Sequence, residues 1–196
     1  MHVHRYVSRP PRGKEFGEAI RQMPVDLAPL RVRREHSDSL GNHGVLAVGG
    51  VQQRWLDWGS EHQEWNPSAT ERTEFIQLWL ETPRPDQTAL EQHNHYARED
   101  CFERWQQIVG SECSPSDGLM VAQGAEIHVI RLDPSSRRMA YQFEPGHGGY
   151  LYVIDGDVDV NLERLGTHDA ARVVGEGRLH IHASTPSELL IVDVAL

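Results

Sequence analysis

Histidine is the residue type whose number and spacing first invite a chemical reading: there are 12 in a chain of 196 residues. Neutral imidazole is the commonest side-chain ligand for transition metals, so a histidine-rich chain calls for a search for donors. On a strand, alternate side chains share a face, and a His-x-His or His-x-Glu triplet can aim both donors at one ion. The sequence holds the pairs His2/His4, His93/His95 and His180/His182, and the mixed pair His62/Glu64. His93-Asn94-His95 falls in a polar, proline-bearing stretch, where solvent-exposed histidines are the simpler reading. His180 and His182 lie in an apolar run that reads as a strand and are expected to be ordinary face-sharing residues. The weight falls on His62 and Glu64.

What surrounds that pair is more specific than the pair itself. Glu35-His36-Ser37-Asp38-Ser39-Leu40-Gly41-Asn42-His43-Gly44-Val45-Leu46 is followed in order by Gly50-Val51-Gln52 and His62-Gln63-Glu64. Then come Asn66-Pro67-Ser68-Ala69-Thr70-Glu71 and Gln77-Leu78-Trp79-Leu80. This run resembles the pirin family, whose pattern is close to E-H-R-D-S-x-G-N-x-G-V-L, G-x-V-Q, H-S-E, N-P-S-x-T-E and Q-I-W-L. The resemblance is unbroken over residues 35–82. It continues more loosely through Ser114-Pro115-Ser116-Asp117-Gly118 to Glu188-Leu189-Leu190-Ile191-Val192-Asp193.

Pirins are double cupins, so the resemblance implies an all-β chain of two small jelly-roll barrels. It implies that the N-terminal barrel holds an iron-type ion through three His and one Glu. Bacterial members similar to this chain act as quercetinases, which open a flavonol ring with dioxygen. By that resemblance His62 and Glu64 are metal ligands, and His2 and His4 complete the set. Glu64 is also the expected catalytic residue, a base for the flavonol hydroxyl. The cofactor implied is Fe(II) or another divalent transition metal such as Mn, Ni, Cu or Zn, which His and carboxylate donors suit. The partners implied are a flavonol-like aromatic substrate and O2.

One departure from the family bears on all of this. The family carries His-Pro-His-Arg just before the E-H-R-D-S turn, yet residues 30–34 contain no histidine. His2-Val3-His4-Arg5 matches the motif but lies far upstream. Two readings stay open. Either His2 and His4 swing in across an atypical loop, or Pro29-Leu30-Arg31-Val32 is the remnant of a family strand and the ligand strand is lost. Trp55-Leu56-Asp57-Trp58-Gly59-Ser60-Glu61 also replaces a smaller, Gly-rich approach to the metal. With its ligands intact the chain is a metal-dependent dioxygenase. With part of the set lost it is a non-catalytic binding or regulatory protein without metal, or a damaged first barrel beside a sound second one.

The elements that position these residues read as short strands. Val45 to Val51 predicts a bent strand, and Phe75 to Leu80 a dense apolar one stopped by Pro83 and Pro85. Residues 83–100 read as a connector, and Ala97 to Gly110 fits a helix or a strand about equally. Met120 to Leu132 starts a second set of strands, which Arg178 to His182 and Leu189 to Val194 finish. Between them, Gly149 to Ile154 and Asp157 to Val160 flank Asp155-Gly156, which predicts a tight hairpin. Three segments follow: 1–34, a basic N-terminal stretch; 35–96, a partial N-terminal cupin; and 97–196, the C-terminal cupin.

Charge and composition bound the partners. A formal charge of −10 argues against a nucleic-acid-binding surface, which needs clustered Lys and Arg. Basic residues concentrate at the start, eight against three acidic in residues 1–34. No apolar run approaches the ~20 residues of a membrane span, and no secretory signal is visible. The expected compartment is the cytoplasm, with no membrane partner. Cys101 and Cys113 fit neither a disulfide framework nor a CxxC motif and are expected to be reduced thiols. A first barrel short of strands would expose sheet edges, and a homodimer is one way of covering them.

Overall fold

The computed structural model describes residues 2–8, 23–27, 34–55, 61–80, 90–111, 119–121 and 124–196. They form strands and no helix, divided into two compact units, Met1–Tyr96 and Ala97–Leu196. The all-β expectation holds, and each unit is a two-sheet cupin barrel. Among the described residues no helix is long and apolar enough to cross a membrane.

The first unit contains β1 (His2–Ser8), β2 (Met23–Leu27), β3 (Arg34–Asp38), β4 (His43–Leu46), β5 (Gly50–Trp55), β6 (His62–Trp65), β7 (Thr73–Leu80) and β8 (Leu90–His95). One sheet runs β1-β7-β2-β5-β8 and the other β4-β3-β6. The basic N-terminal stretch supplies β1 and β2, which pair antiparallel on either side of β7. Flanked on both edges, β7 is buried at every position, as its run of apolar side chains requires.

Two expectations change here. Val45 to Val51 is not one bent strand, because the chain turns at Ala47-Val48-Gly49, where the Gly50 amide donates to the Ala47 carbonyl at 2.9 Å. Gly49 supplies the φ of +83° that this turn needs. The polar stretch read as a connector contains β8, which pairs antiparallel with β5 along its whole length. Pro29 to Val32, Trp58, Pro83 and Pro85 lie outside the described residues.

The second unit contains β9 (Gln106–Ser111), β10 (Leu119–Val121), β11 (Glu126–Leu132), β12 (Met139–Gln142), β13 (His147–Asp155), β14 (Asp157–Val160), β15 (Glu163–Gly166), β16 (Ala170–Val173), β17 (Arg178–Ala183) and β18 (Ser187–Ala195). Its sheets run β10-β9-β11-β18-β13-β16 and β12-β17-β14-β15. Ala97 to Gly110 resolves as turns followed by β9, and Phe102 is nearly half exposed, with no helical face to pack.

The hairpin expected at Asp155-Gly156 is not formed. β13 pairs with β16 and β18, and β14 pairs with β15 and β17 in the other sheet. Gly156 does adopt the positive φ, +94°, but uses it at a corner where the chain changes sheets. Local turn chemistry is the same for either outcome, and long-range pairing decides between them.

The core of this unit is apolar, built on residues such as Ile130, Leu151, Val153, Ile181, Leu189 and Ile191. Its buried acids are matched. Asp193 accepts from the Tyr141 hydroxyl at 2.9 Å and lies 2.7 Å from His147 Nδ1, and Glu188 pairs with Arg98. Cys101 is fully buried and free, and burial pushes its thiol up to about 11, so it is inert. Cys113 lies outside the described residues.

Candidate metal centre

The first unit buries many polar side chains beside apolar ones such as Val51, Ile76, Leu78 and Leu80. β3 and β6 pair antiparallel, with His36 opposite Glu64 and Asp38 opposite His62. Alternation along β6 buries His62 and Glu64 and exposes Gln63. Arg34, His36, Gln52, Arg54, His62 and Glu64 are each no more than 5% exposed. Burying so many polar groups is tolerable only if they satisfy one another.

A connected network does this. Glu64 Oε1 is contacted by the guanidiniums of both Arg34 and Arg54. Arg34 also donates to Gln52 Oε1 at 2.6 Å and lies 4.7 Å from the centre of the Phe75 ring. Accepting from Arg34 fixes the Gln52 amide, whose nitrogen then faces His36 Nε2 at 3.0 Å. Gly44 makes room for that imidazole, since a Cβ there would stand 2.5 Å from His36 Nε2.

Strand β8 completes the arrangement. It places His93 opposite Gln52, and Glu91 two residues earlier shares the face of His93. Glu91 Oε1 lies 2.5 Å from His93 Nε2 and 3.5 Å from His36 Nε2. The two imidazole rings are 5.6 Å apart between centroids and tilted by 33°. One donor atom from each of His36, Glu91 and His93 falls within 4.8 Å of the others. Burial, reinforced by the nearby Arg54 and Arg34 charges and opposed by Glu91, holds the His36 imidazole down to about 4. It is therefore neutral at pH 7. Burial alone would raise the Glu91 carboxyl, but its bond to His93 and the charges around it take it below the usual carboxylate range.

The residues singled out in the sequence are distributed as follows. His62 and Glu64 share the buried face of β6. His2 and His4 lie in β1, in register with Trp79 and Gln77 of β7, and their side chains are outside the described residues. His180 is exposed and His182 half-buried, on the outward positions of β17. Among the described residues, the three metal-type donors that converge are His36, Glu91 and His93, and His62 and Glu64 are not among them. Glu91-Gln92-His93 has the same i, i+2 spacing that drew attention to His62-Gln63-Glu64. Taking that stretch for a connector concealed it.

The two carboxylates differ in charge environment. Glu64 already faces two guanidiniums with its single negative charge, so a cation seated on it would meet both positive charges at close range. Among the described residues Glu91 has no guanidinium partner, and its neighbours are two imidazoles and the Gln52 amide. Two imidazoles and a carboxylate are a donor set that fits a first-row divalent ion.

Residues 108–194 match the family described as the quercetinase C-terminal cupin domain. Over 183 residues, 93% of this chain and 77% of the relative, the sequence is 28% identical to the protein named quercetin 2,3-dioxygenase of Escherichia coli K12. A pirin-like protein of Caulobacter vibrioides is 27% identical over 82% of this chain and 68% of its own. The fold superposes on the crystal structure of YhhW from Escherichia coli with a TM-score of 0.86, at 24% identity over 98% of this chain and 80% of that one. The chain is similar to pirins over nearly its whole length. A structure of the same bacterial pirin in complex with nickel(II) superposes with a TM-score of 0.84, at 22% identity over 98% of this chain and 81% of that one. That similarity agrees with the all-β double cupin and with the run of motifs between residues 35 and 82.

Proposed function

We propose that this pirin-like chain is a metal-dependent oxidoreductase of the quercetin 2,3-dioxygenase type, which uses its first barrel to cleave a flavonol-like phenol with O2. The observation that carries the reading is the contrast between the two interiors. The first unit buries histidines, carboxylates and amides together, and the second buries an apolar core. Chemistry that needs placed donors and proton carriers belongs in the first. The relative named as a quercetin 2,3-dioxygenase and the nickel(II) complex of a related fold support the same class.

A divalent first-row ion, when bound, supplies open positions at which a phenolate oxygen and dioxygen can meet. The family resemblance gives His62, Glu64, His2 and His4 as its ligands, with Glu64 as base, but in this chain Arg34 and Arg54 both contact Glu64, and the described donors that converge are His36, Glu91 and His93. The chain's own residues do the positioning. Arg34 fixes Gln52, and Gln52 fixes the His36 imidazole. The exposed edge of His93, 43% accessible, leaves a route for a planar substrate.

The test is oxygen uptake with quercetin, using protein stripped by a chelator and reloaded with Fe(II), Ni(II) or Co(II). Equimolar loss of flavonol and O2 that requires the metal is the expected result. Reloaded protein that consumes neither would overturn the dioxygenase reading. A binding or regulatory role would then stand, and the capping of Glu64 by two arginines is the observation that favours it.

A further inference from the structure

We propose that His36, Glu91 and His93 form a binding site for one first-row divalent transition-metal ion, separate from the His62/Glu64 pair. The site deepens the functional reading above, but it stands or falls on its own chemistry. Three observations converge on it. The first is geometry: the three donor atoms lie within 4.8 Å of one another. Donors held ~2.1 Å from one ion are themselves roughly 3–4 Å apart, so closure needs only small side-chain movements. His93, on the exposed side, is free to make them.

The second is an unmet acceptor. Glu91 Oε2 is buried and has no hydrogen-bond partner, while its other oxygen is held by His93. A buried carboxylate oxygen without a donor is costly. A cation between Glu91 and the two imidazoles removes that cost.

The third is orientation. His36 is fully buried, seated over Gly44, and its ring is oriented by the Gln52 amide, which Arg34 holds in place. The Gln52 amide nitrogen lies 3.0 Å from Nε2 and 3.4 Å from Nδ1, so one edge of the ring is held in place before an ion arrives. His36 and Glu91 form the inner wall of the site and His93 its outer edge, so water or a substrate oxygen can take the remaining positions.

The probe is Co(II), titrated into chelator-stripped full-length protein and followed by calorimetry and by its visible ligand-field absorption. The wild type is expected to bind one equivalent. His93→Ala, a change at a half-exposed position, is expected to weaken binding by about 100-fold, the upper end of the loss seen when even an outer partner of a ligand is removed. Glu91→Gln keeps the shape of the side chain and is expected to weaken binding similarly and change the absorption spectrum. His95→Ala, two residues further along β8, is expected to leave both unchanged. Wild-type affinity in both His93→Ala and Glu91→Gln overturns the site, as does loss of binding confined to His62→Gln. Protein that binds Co(II) through these residues yet cleaves no flavonol keeps the site and ends only the dioxygenase reading.

Discussion

Replacing Glu64 by Gln is expected to destabilise the metal-free first unit by about 3–5 kcal/mol, the usual loss when one partner of a buried ion pair is removed. Gln keeps the size of the side chain and most of its hydrogen-bonding capacity, so the change isolates the charge. Arg34 and Arg54 are each 1% exposed, and both ion-pair with the same carboxylate oxygen. Without it, two guanidiniums in a closed interior lose the carboxylate that both contact. Arg34 retains Gln52 and the face of Phe75, but neither carries charge. Chemical denaturation of the stripped variant and wild type measures the difference. A change below ~1 kcal/mol, the range of exposed pairs, would mean that the carboxylate is not the keystone of this network.

The second large effect is expected in the second unit. Gly156→Ala should cost about 2–4 kcal/mol, combining a strained backbone with an overpacked contact. Gly156 has a φ of +94°, and a Cβ there would lie 2.3 Å from Ser187 Oγ and 2.5 Å from the Pro186 carbonyl oxygen. Removing the serine hydroxyl cannot relieve the second contact, which is with backbone. The Gly156 amide is also committed, donating to Thr167 Oγ1 at 2.8 Å, so the corner cannot swing away without losing that bond. The measurement is the denaturant midpoint of Gly156→Ala and of Gly156→Ala with Ser187→Ala. A midpoint close to wild type in the single variant would contradict the tight corner.

The same corner shows where sequence reading runs out. Asp155-Gly156 announces a positive φ, and the chain uses one, but the strands it joins belong to different sheets. Nothing local distinguishes a hairpin from a sheet-changing corner. The choice is made by β16 and β18, which occupy both edges of β13. By contrast β7 was legible because six consecutive residues, Phe75 to Leu80, are almost wholly apolar and suit a strand flanked on both sides. The β4–β5 turn was missed because Gly49-Gly50 reads equally as a bend within a strand.

At the site, the family motifs point to the inward face of β6. His62 and Glu64 do alternate inward, and His36, within the Glu35-His36-Ser37-Asp38-Ser39 motif, faces the same interior. What the motifs could not convey is the counter-charge. Arg34 and Arg54 lie 30 and ten residues before Glu64, in no recognisable motif spacing, and only the fold brings both to one oxygen. Glu91 and His93 were hidden for a different reason. Their stretch is polar and proline-bearing, which suggests a loop, but pairing with β5 makes it a strand and turns the i, i+2 spacing into a shared face.

The most direct test of the account is to locate the ion. Crystals of the protein reloaded with Co(II) should show one anomalous-difference peak at the cobalt edge, within bonding distance of His36, Glu91 and His93 in the first barrel. A peak beside Glu64, a peak in the second barrel, or no peak in protein shown to carry the metal would contradict it.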